Sequence, residues 1–449
     1  MAGLKAVIIF GLLGLIGFGT GCGDASDDGD STITPVDGPT YWQDVAPILE
    51  GKCNMCHQEG GVAPFTFDNY ENVATMRDAI SVSVMNKSMP QLLADNSCGP
   101  TYVGDWTLSE SQIATISEWA ANGAPEGDSE TVVVPVETAD SWTGMSRVDL
   151  EVEMPVAYVP QDAPDDYRCF VIPWPETEVT NVTGFVTEPG NQAIVHHVIT
   201  YVVPPNRVAA VLEADEADEG PGYSCFGPAR FDQEYLPWLS AWAPGGSGGD
   251  FPEGTGIRVE PGSALILQAH YNVVMSDPSP DKSKMVFQIE SDLPRIAALT
   301  PFTDYSWVAG GEMNIPAGEI TTHSVTMPFT EWVHLYSGGM LRQNEPLTIH
   351  DVNFHMHQLG VSGSLEIIRA SGEEECLLGI NDWDFNWQLA YRFKSPVLFN
   401  PGDRLRLTCT WDNTAGNQPT GEPPRDLNWG DGTYDEMCLG VMYMSQDGI

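Results

Sequence analysis

Short runs of alternating apolar and polar residues fill the chain from about residue 150 onward, separated by glycine, proline and asparagine. Alternation places every second side chain on one face of an extended strand, so such runs predict half-buried β-strands. Gly (45 residues) and Pro (34 residues) supply the turns between them. The pattern favours all-β domains over helical bundles. The clearest runs are Val179–Val186, Ala193–Val203, Ala264–Val274 and Val361–Ile368.

A chain of 449 residues is too long for one ordinary hydrophobic core, so several domains are expected. The alternating part has the length of two β-sandwiches, which we place at residues 151–292 and 293–449, after a linker at 129–150. Residues 22–40 are rich in Asp, Gly and Ser and predict a flexible, acidic tether.

Acidic residues outnumber basic ones by 63 to 19, which gives a net charge of −44. Such a surface repels the phosphates of nucleic acids and offers no basic patch to anionic lipids. Neither nucleic acid nor a lipid surface is therefore an expected partner of the folded domains.

Residues 1–21 have the features of an export signal. Lys5 supplies the positive charge, and an apolar run from Ala6 to Phe18 precedes small residues and Cys22. This order resembles a bacterial lipoprotein signal with a lipidated Cys22, although Gly19 stands where leucine is usual. The alternative is a plain secretory signal. We expect an exported protein in the bacterial periplasm or outer envelope, attached to the membrane only through this lipid anchor.

Cys53-Asn54-Met55-Cys56-His57 is a C-x-x-C-H sequence, the attachment motif of c-type haem. In this motif both thiols bond to the haem, and the histidine is an axial ligand of the iron. Half of a zinc site and a redox dithiol are the alternatives, but the flanking sequence lacks the further Cys or His that zinc needs. Met89 is the candidate for the second axial ligand, with Met76 and Met85 as competitors. The motif predicts one covalently bound haem c.

Helical patterns surround this motif. Tyr41–Leu49 predicts a helix that leads into it, and Ser109 has the position of a helix cap. The amphipathic run Ile113–Ala120 follows, and Asn122-Gly123 ends it. Residues 41–128 resemble small bacterial cytochrome c domains, including their closing Trp-Ala-Ala-Asn-Gly-Ala-Pro-Glu-Gly-Asp. A small all-α haem domain is therefore expected in front of the β domains.

His196 and His197 are adjacent in one predicted strand, and His270 lies in another. Neighbours in a regular strand point to opposite faces, so both reach one ion only at a strand end or a bulge. The alternative is one inward and one outward histidine. Three neutral imidazoles on sheet scaffolding suit copper or zinc, so these three are candidate metal ligands.

His355-Met356-His357 places two imidazoles two residues apart. On a strand both side chains share a face, so they can chelate one ion, whereas burying them unliganded is costly. Met437 offers a thioether, although a methionine taken alone more often packs in a core. Soft sulfur with imidazole favours copper over zinc. The histidines without an assigned role are His323, His334 and His350.

Four motifs together occur in the order and similar spacing of the type II copper, ascorbate-dependent monooxygenases, a family that includes peptidylglycine α-hydroxylating and dopamine β-monooxygenases. The resemblance covers about residues 150 to 449 and implies two jelly-roll-like domains, each holding one copper ion. The expected fold class is thus mainly β, preceded by the small all-α domain. The motifs are His196-His197, Gln268-Ala269-His270-Tyr271, His355-Met356-His357-Gln358-Leu359-Gly360 and Asp435-Glu436-Met437-Cys438.

The resemblance also implies roles for individual residues. One copper transfers electrons, and its ligands are His196, His197 and His270. The other copper reacts with dioxygen, and its ligands, which are the catalytic residues, are His355, His357 and Met437. Disulfides are implied for Cys169 with Cys225 and for Cys409 with Cys438, which leaves Cys98 and Cys376 as candidates for pairing between the haem and copper modules.

These features predict a copper-dependent monooxygenase that hydroxylates a C–H bond of a small organic substrate with dioxygen. We expect the fused haem to pass electrons to the three-histidine copper and to replace or supplement ascorbate as the external donor. In peptide-amidating relatives an Arg and a Tyr hold the substrate carboxylate, but Asn353 and Val441 stand here, which disfavours peptide amidation. The alternative function is a periplasmic haem- and copper-binding electron-transfer lipoprotein without hydroxylase activity. A zinc hydrolase would lack the Glu that it needs beside the H-x-H sequence.

Overall fold

The computed structural model describes residues 38–447 except 55–56, 59–62, 64, 91–93, 96, 105–106, 132–143, 226–229, 232–233, 244–245, 247, 274–276, 386 and 420. The predicted export signal, Cys22 and most of the tether lie outside the described residues, as does Cys56 of the C-x-x-C-H sequence. None of the helices in the described part of the chain is long and apolar enough to cross a membrane.

The first part of the described chain is helical, as its pattern predicts. A π-helical turn, Tyr41–Val45, continues into α1 (Ala46–Lys52), and α2 (Tyr70–Met85) and α3 (Glu110–Ala121) follow. Ser109 caps α3 in a capping box with Gln112, which confirms the predicted start of this helix. Buried apolar side chains of all these helices form one small core, whose fully buried members are Val45, Val73, Ile116 and Trp119.

The chain from residue 150 onward is mainly β, which confirms the predicted class. Its strands are β1 (Leu150–Glu153), β2 (Asp165–Pro173), β3 (Thr180–Glu188), β4 (Val195–Val203), β5 (Tyr223–Ser224), β6 (Arg230–Phe231), β7 (Glu234–Tyr235), β8 (Trp238–Trp242), β9 (Gly249–Asp250), β10 (Thr255–Val259), β11 (Ala264–Asn272), β12 (Lys284–Glu290), β13 (Arg295–Phe302), β14 (Ile320–Pro328), β15 (Leu347–His355), β16 (Gly360–Ile368), β17 (Glu374–Ile380), β18 (Ala390–Phe399), β19 (Arg404–Asp412) and β20 (Leu439–Asp447). Three helices interrupt them, namely α4 (Val208–Ala217), α5 (Tyr305–Gly310) and α6 (Phe329–Tyr336). The four predicted alternating runs correspond to β3, β4, β11 and β16.

One sheet of 14 strands runs through both predicted copper domains, with the main order β1-β12-β3-β10-β13-β8-β4-β11-β2-β5. The joint is β13, which pairs antiparallel with β20 along its whole length, from Arg295 with Asp447 to Phe302 with Gly440. On its other side β13 pairs with β10 and β8. Beyond β20 follow β15 and then β18. The strands that carry the two histidine motifs, β4, β11 and β15, thus belong to one hydrogen-bonded sheet.

A second sheet, with the order β14-β19-β16-β17, covers the C-terminal part of the first. Side chains from β16, β17 and β19 share one hydrophobic core with side chains from β15, β18 and β20. Fully burying a large apolar side chain contributes roughly 1.5–3 kcal/mol relative to exposure. This core fixes the end of β15, where His355 lies, and its largest fully buried side chains include Phe354, Phe399 and Trp411.

Between α2 and α3 the chain reaches the β region. Ala94 forms a β-bridge with Ile380, and Tyr102 forms one with Phe393. We call Ala94, Asp95 and residues 97–104 the strap. The disulfide Cys98–Cys376 joins the strap to β17, and the two other disulfides are Cys169–Cys225 and Cys409–Cys438.

Candidate metal centre

His196, His197 and His270 form a cluster in which one ring nitrogen of each lies within 4.8 Å of the others. The facing atoms are Nδ1, which lie 3.3 Å apart between His196 and His197 and 3.4 Å apart between His197 and His270. Burial lowers the pKa of all three rings, that of His196 to about 3. Neutral rings present lone pairs, so the cluster has the chemistry of a copper or zinc site.

A β-bulge explains how two adjacent histidines share this cluster. His270 of β11 pairs with His197 of β4, whereas the next pair joins Tyr271 to Val195. His196 is therefore the extra residue on β4. A bulge breaks the alternation of side chains, so both neighbours reach the same side, as the sequence requires if they are to share one ion.

Asp165, the first residue of β2, orients His270. His270 Nε2 lies 2.9 Å from Asp165 Oδ1, so Nε2 carries the proton and Nδ1 presents the lone pair. Burial opposes ionisation of this carboxyl, but hydrogen bonds from His270 and Thr433 outweigh it and lower the pKa of Asp165 to about 2. A carboxylate behind a histidine fixes the ring and raises its basicity toward a metal.

His355 ends β15, and His357 follows two residues later, with 5.1 Å between the ring centroids. His355 Nδ1 lies 2.6 Å from Gln388 Oε1, and His357 Nδ1 lies 3.1 Å from the Asp435 carbonyl oxygen. Both acceptors are oxygens, so each Nδ1 carries the proton and each Nε2 is left with its lone pair. Burial lowers the pKa of His355 to about 4 and that of His357 well below its ordinary value.

The buried side chain of Glu436 holds the backbone around the second histidine pair. Its oxygens accept the N–H groups of His357 at 3.0 Å and Leu359 at 2.6 Å, and the Trp411 indole N–H at 2.8 Å. The backbone N–H of Met437 also donates to it. Burial raises the pKa of Glu436 to about 8, although these donors oppose the rise. Glu436 thus connects the H-x-H turn to the segment that carries Met437.

Met437 is half-buried and lies between Glu436 and Cys438, whose disulfide to Cys409 anchors it beside β19. The hydrogen bond from its backbone to Glu436 places it next to the turn that holds His357. Its role as a copper ligand stays a prediction.

The two histidine groups adjoin each other. The ring centroids of His197 and His355 are 6.5 Å apart, although the residues come from the two predicted copper domains. The ring of Phe385 stacks on His196 at 4.8 Å and lies 5.9 Å from His357. One aromatic side chain therefore contacts both groups, which together form a single centre.

The described part of the C-x-x-C-H sequence fits a haem ligand. His57 is buried, and its Nδ1 lies 3.1 Å from the Phe65 carbonyl oxygen, so Nε2 has the lone pair. Nearby, the side-chain oxygen of Asn54 is buried with no hydrogen-bond partner among the described residues. Met89 is 41% exposed, whereas its competitor Met76 packs against the helical core.

The structure also describes Asn353 and Val441, the two positions that stand where peptide-amidating relatives have the carboxylate-binding Arg and Tyr. Asn353 and Val441 lie opposite each other on β15 and β20. The Asn353 side chain donates to the Leu389 carbonyl oxygen at 2.8 Å, and Val441 is buried. Neither carries a charge. Of the unassigned histidines, His350 is buried against Ser445, and His334 is exposed.

Sequence reasoning missed four residues of this centre: Asp165, Phe385, Gln388 and Glu436. Glu436 stands in the quoted Asp-Glu-Met-Cys motif, so its position beside Met437 was an available signal. The other three are distant in sequence from the histidines that they contact, and no local pattern marks them.

Residues 311–446 match the model of the copper type II ascorbate-dependent monooxygenase C-terminal domain. DBH-like monooxygenase protein 1 of Homo sapiens is 27% identical over 57% of this chain and 40% of its own length. Dopamine beta-hydroxylase of Bos taurus is 26% identical over 69% of this chain and 51% of its own length. The chain therefore spans about half or less of these relatives.

Among solved structures, the major capsid protein P2 of bacteriophage PM2 aligns with a TM-score of 0.25 and 7% identity, covering 67% of this chain and 98% of the capsid protein. A similarity this low gives no information about fold or function. Residues 311–446 thus resemble the C-terminal domain of the copper type II, ascorbate-dependent monooxygenases, and the chain is similar to two monooxygenase relatives over more than half of its length.

Proposed function

We propose that this protein is a copper-dependent monooxygenase that hydroxylates a C–H bond of a small organic substrate. The overall reaction is R–H + O₂ + 2e⁻ + 2H⁺ → R–OH + H₂O, so two electrons must come from outside the substrate. The observation that carries the proposal is the convergence of five neutral histidines, His196, His197, His270, His355 and His357, into one centre. Hydrogen bonds define the lone-pair nitrogen of His270, His355 and His357.

Two groups of ligands suit two different tasks. The first group offers three imidazoles whose Nδ1 atoms face one another, from His196, His197 and His270, and we assign electron transfer to it because imidazole binds copper well. Two imidazoles presenting Nε2, with the Met437 thioether, leave positions for dioxygen and favour copper(I). When bound, copper supplies one-electron storage at both groups and dioxygen activation at the second. Asp165, Gln388 and Glu436 orient the ligands, and Phe385 excludes water between the groups.

We also propose that the helical part, residues 41–128, is a haem c domain held through Cys53, Cys56, His57 and Met89. The hydrogen bond of His57 Nδ1 to Phe65 supports this, because it leaves Nε2 available for an axial position. A haem there is a one-electron carrier that would feed the three-histidine copper, with ascorbate as an additional external donor. The three disulfides among the described residues fit an oxidising compartment and so support export. Lipid anchoring at a bacterial envelope through Cys22 is proposed from the sequence of the export signal alone.

The substrate class is set by what the second group lacks. Asn353 and Val441 carry no charge, and the Asn353 amide is already bonded to Leu389, so a clamp for a peptide carboxylate is not supported. We therefore propose an uncharged or weakly polar organic molecule rather than a peptide.

Metal analysis of the mature protein, produced with haem maturation, is the direct test. Two coppers and one haem per chain, with haem reoxidation by dioxygen that accelerates with substrate and yields hydroxylated product, are expected. One copper or none, with a haem that reoxidises slowly and forms no product, would contradict the proposal and favour an electron-transfer lipoprotein.

A further inference from the structure

One loop contacts both histidine groups. It lies between β17 and β18, and we call residues 381–389, apart from 386, the bridging loop. Phe385 packs against His196 and His357, and Gln388 holds His355. In addition, the Trp383 indole N–H donates to the His357 carbonyl oxygen at 3.1 Å, and the Gln388 amide N–H donates to Phe385 within the loop. The conformation of this loop therefore sets the geometry of the centre.

The strap binds the first end of the bridging loop. The Asp95 backbone N–H donates to the Gly379 carbonyl oxygen at 2.7 Å, and the Asn381 side chain donates to the Asp95 carboxylate at 2.8 Å. The disulfide Cys98–Cys376 joins the strap to β17 three residues before Gly379. These bonds fix the exit of β17.

The strap also binds β18, the strand that follows the bridging loop. The Val103 N–H donates to the Arg392 carbonyl oxygen at 2.7 Å, and the Lys394 N–H donates to the Thr101 carbonyl oxygen at 2.8 Å. Tyr102 is buried between these bonds, and its hydroxyl donates to the Leu377 carbonyl oxygen at 2.8 Å. One short segment thus spans the edges of both sheets, on either side of the bridging loop.

Two glycines allow this close approach. Gly99 has a φ of +83°, and a Cβ on it would collide with the Cys376 carbonyl oxygen. A Cβ on Gly379 would lie 2.9 Å from Cys98 Sγ. The strap and β17 therefore approach each other so closely that neither Gly99 nor Gly379 leaves room for a side chain.

We propose that the strap, a segment between two helices of the N-terminal module, is a positioning element of the metal centre. It holds the two strands that flank the bridging loop, together with Asn381 at the start of the loop, and so preorganises Phe385 and Gln388 around the histidines. Fixing the ends of a loop removes conformations that copper binding would otherwise have to select. This inference rests on the proposed function, because it assumes that the two histidine groups bind copper.

The test uses the full mature protein with Asp95→Ala and, separately, Tyr102→Phe. Asp95→Ala removes the carboxylate that accepts from Asn381 and, within the strap, from Ser97, whereas Tyr102→Phe removes the hydroxyl that donates to Leu377. Both leave the disulfide intact. Lys87→Ala is the matched control, because Lys87 belongs to the same module but forms only a surface ion pair with Glu110. The readouts are copper(II) affinity by chelator competition, the copper EPR spectrum, and hydrogen exchange of residues 381–389 in metal-free protein.

We expect the strap variants to weaken copper binding at the second histidine pair by roughly 3- to 10-fold and to speed exchange in the bridging loop. Gln388→Ala should weaken it by about 10- to 100-fold, and the double variant Asp95→Ala/Gln388→Ala should fall short of the product of the two effects. Lys87→Ala should match the wild type.

Strap variants that match Lys87→Ala in affinity, spectrum and exchange would overturn the inference. The inference would also be overturned if the losses of copper affinity in Asp95→Ala and Gln388→Ala multiply fully in the double variant. The strap would then affect copper binding independently of Gln388. A wild type without copper at the second pair would refute the proposed function instead. In that case hydrogen exchange of the bridging loop in metal-free protein still tests whether the strap holds the loop. The exchange should be faster in the strap variants and unchanged in Lys87→Ala.

Discussion

The backbone N–H of Thr433 donates to the Asp165 carboxylate across 2.9 Å. Asp165 opens β2 and holds His270, whereas Thr433 lies four residues before Met437. The Asn272 side chain donates to both Asp165 and the Thr433 hydroxyl. A single carboxylate therefore orients a histidine of the first group and anchors the segment that approaches the second.

Asp165→Asn should weaken copper binding at the three-histidine group by about 10- to 100-fold, since the charged acceptor behind His270 is lost. Chelator competition on the two-copper protein measures this change. Thr433→Val is the control, because it removes the partner hydroxyl and leaves the His270 hydrogen bond in place. Equal losses in both variants would show that the anchoring of the Met437 segment, rather than the orientation of His270, dominates.

Glu436→Gln should destabilise the protein and loosen the second histidine pair. An amide places its own N–H groups against the donors that the carboxyl oxygens of Glu436 now accept. An unsatisfied buried group costs about 1–3 kcal/mol, which urea unfolding of the metal-free protein can measure. Glu366→Gln on β16, where the carboxylate pairs with Arg406 near the surface, is the control. Equal unfolding free energies for the two variants would contradict a special role for Glu436.

Phe385→Ala should change the EPR spectrum of the protein loaded with copper(II) at both groups, because the ring packs against a histidine of each group and holds its position. EPR of wild type and variant under the same loading measures this change. Phe302→Leu is the control for a general loss of apolar packing, since Phe302 is fully buried in the C-terminal core. A spectrum unchanged in Phe385→Ala would mean that other contacts keep the groups together.

The metal-free protein should lose stability in acid partly through His350. Burial lowers its pKa to about 4, whereas an unfolded histidine titrates near 6.5. The unfolded chain thus binds the proton first, and about 3 kcal/mol present above pH 6.5 should be lost as the pH falls to about 4. Urea unfolding at several pH values should show a shallower decline in His350→Gln than in the wild type. In the control variant His334→Gln, which changes an exposed histidine, the free energy of unfolding should decline with falling pH as it does in the wild type. If the decline in His350→Gln is as steep as in this control, the account is contradicted.

Local patterns predicted much of the fold. The alternating runs located β3, β4, β11 and β16, and the Ser109 cap located the start of α3, because these signals depend on neighbouring residues. The adjacent histidines required a strand end or bulge, and β4 has a bulge there. The rings of His355 and His357 lie close together as their spacing predicted, although β15 ends at His355 and the two residues do not share a strand.

Long-range contacts could not be predicted in this way. His197 and His355 meet because β13 and β20 join two regions into one sheet, and nothing near either histidine encodes that pairing. The burial that raises the pKa of Glu436 comes from strands far away in sequence. The sequence offered Cys98 and Cys376 as a pair between the two modules, which the disulfide confirms, but no local pattern predicted that the strap forms bridges to two separate sheets.

The position of β13 also limits how this protein can be divided. All eight of its residues pair with β20 on one side, and Arg295, Ile296 and Leu299 pair with β10 and β8 on the other. A fragment that ends after β13 would expose a long, apolar edge strand, and exposed edges of this kind recruit other chains into aggregates. A fragment that begins after β13 would likewise leave β20 with an exposed edge. The two histidine regions should therefore fold only as one unit and should be expressed together.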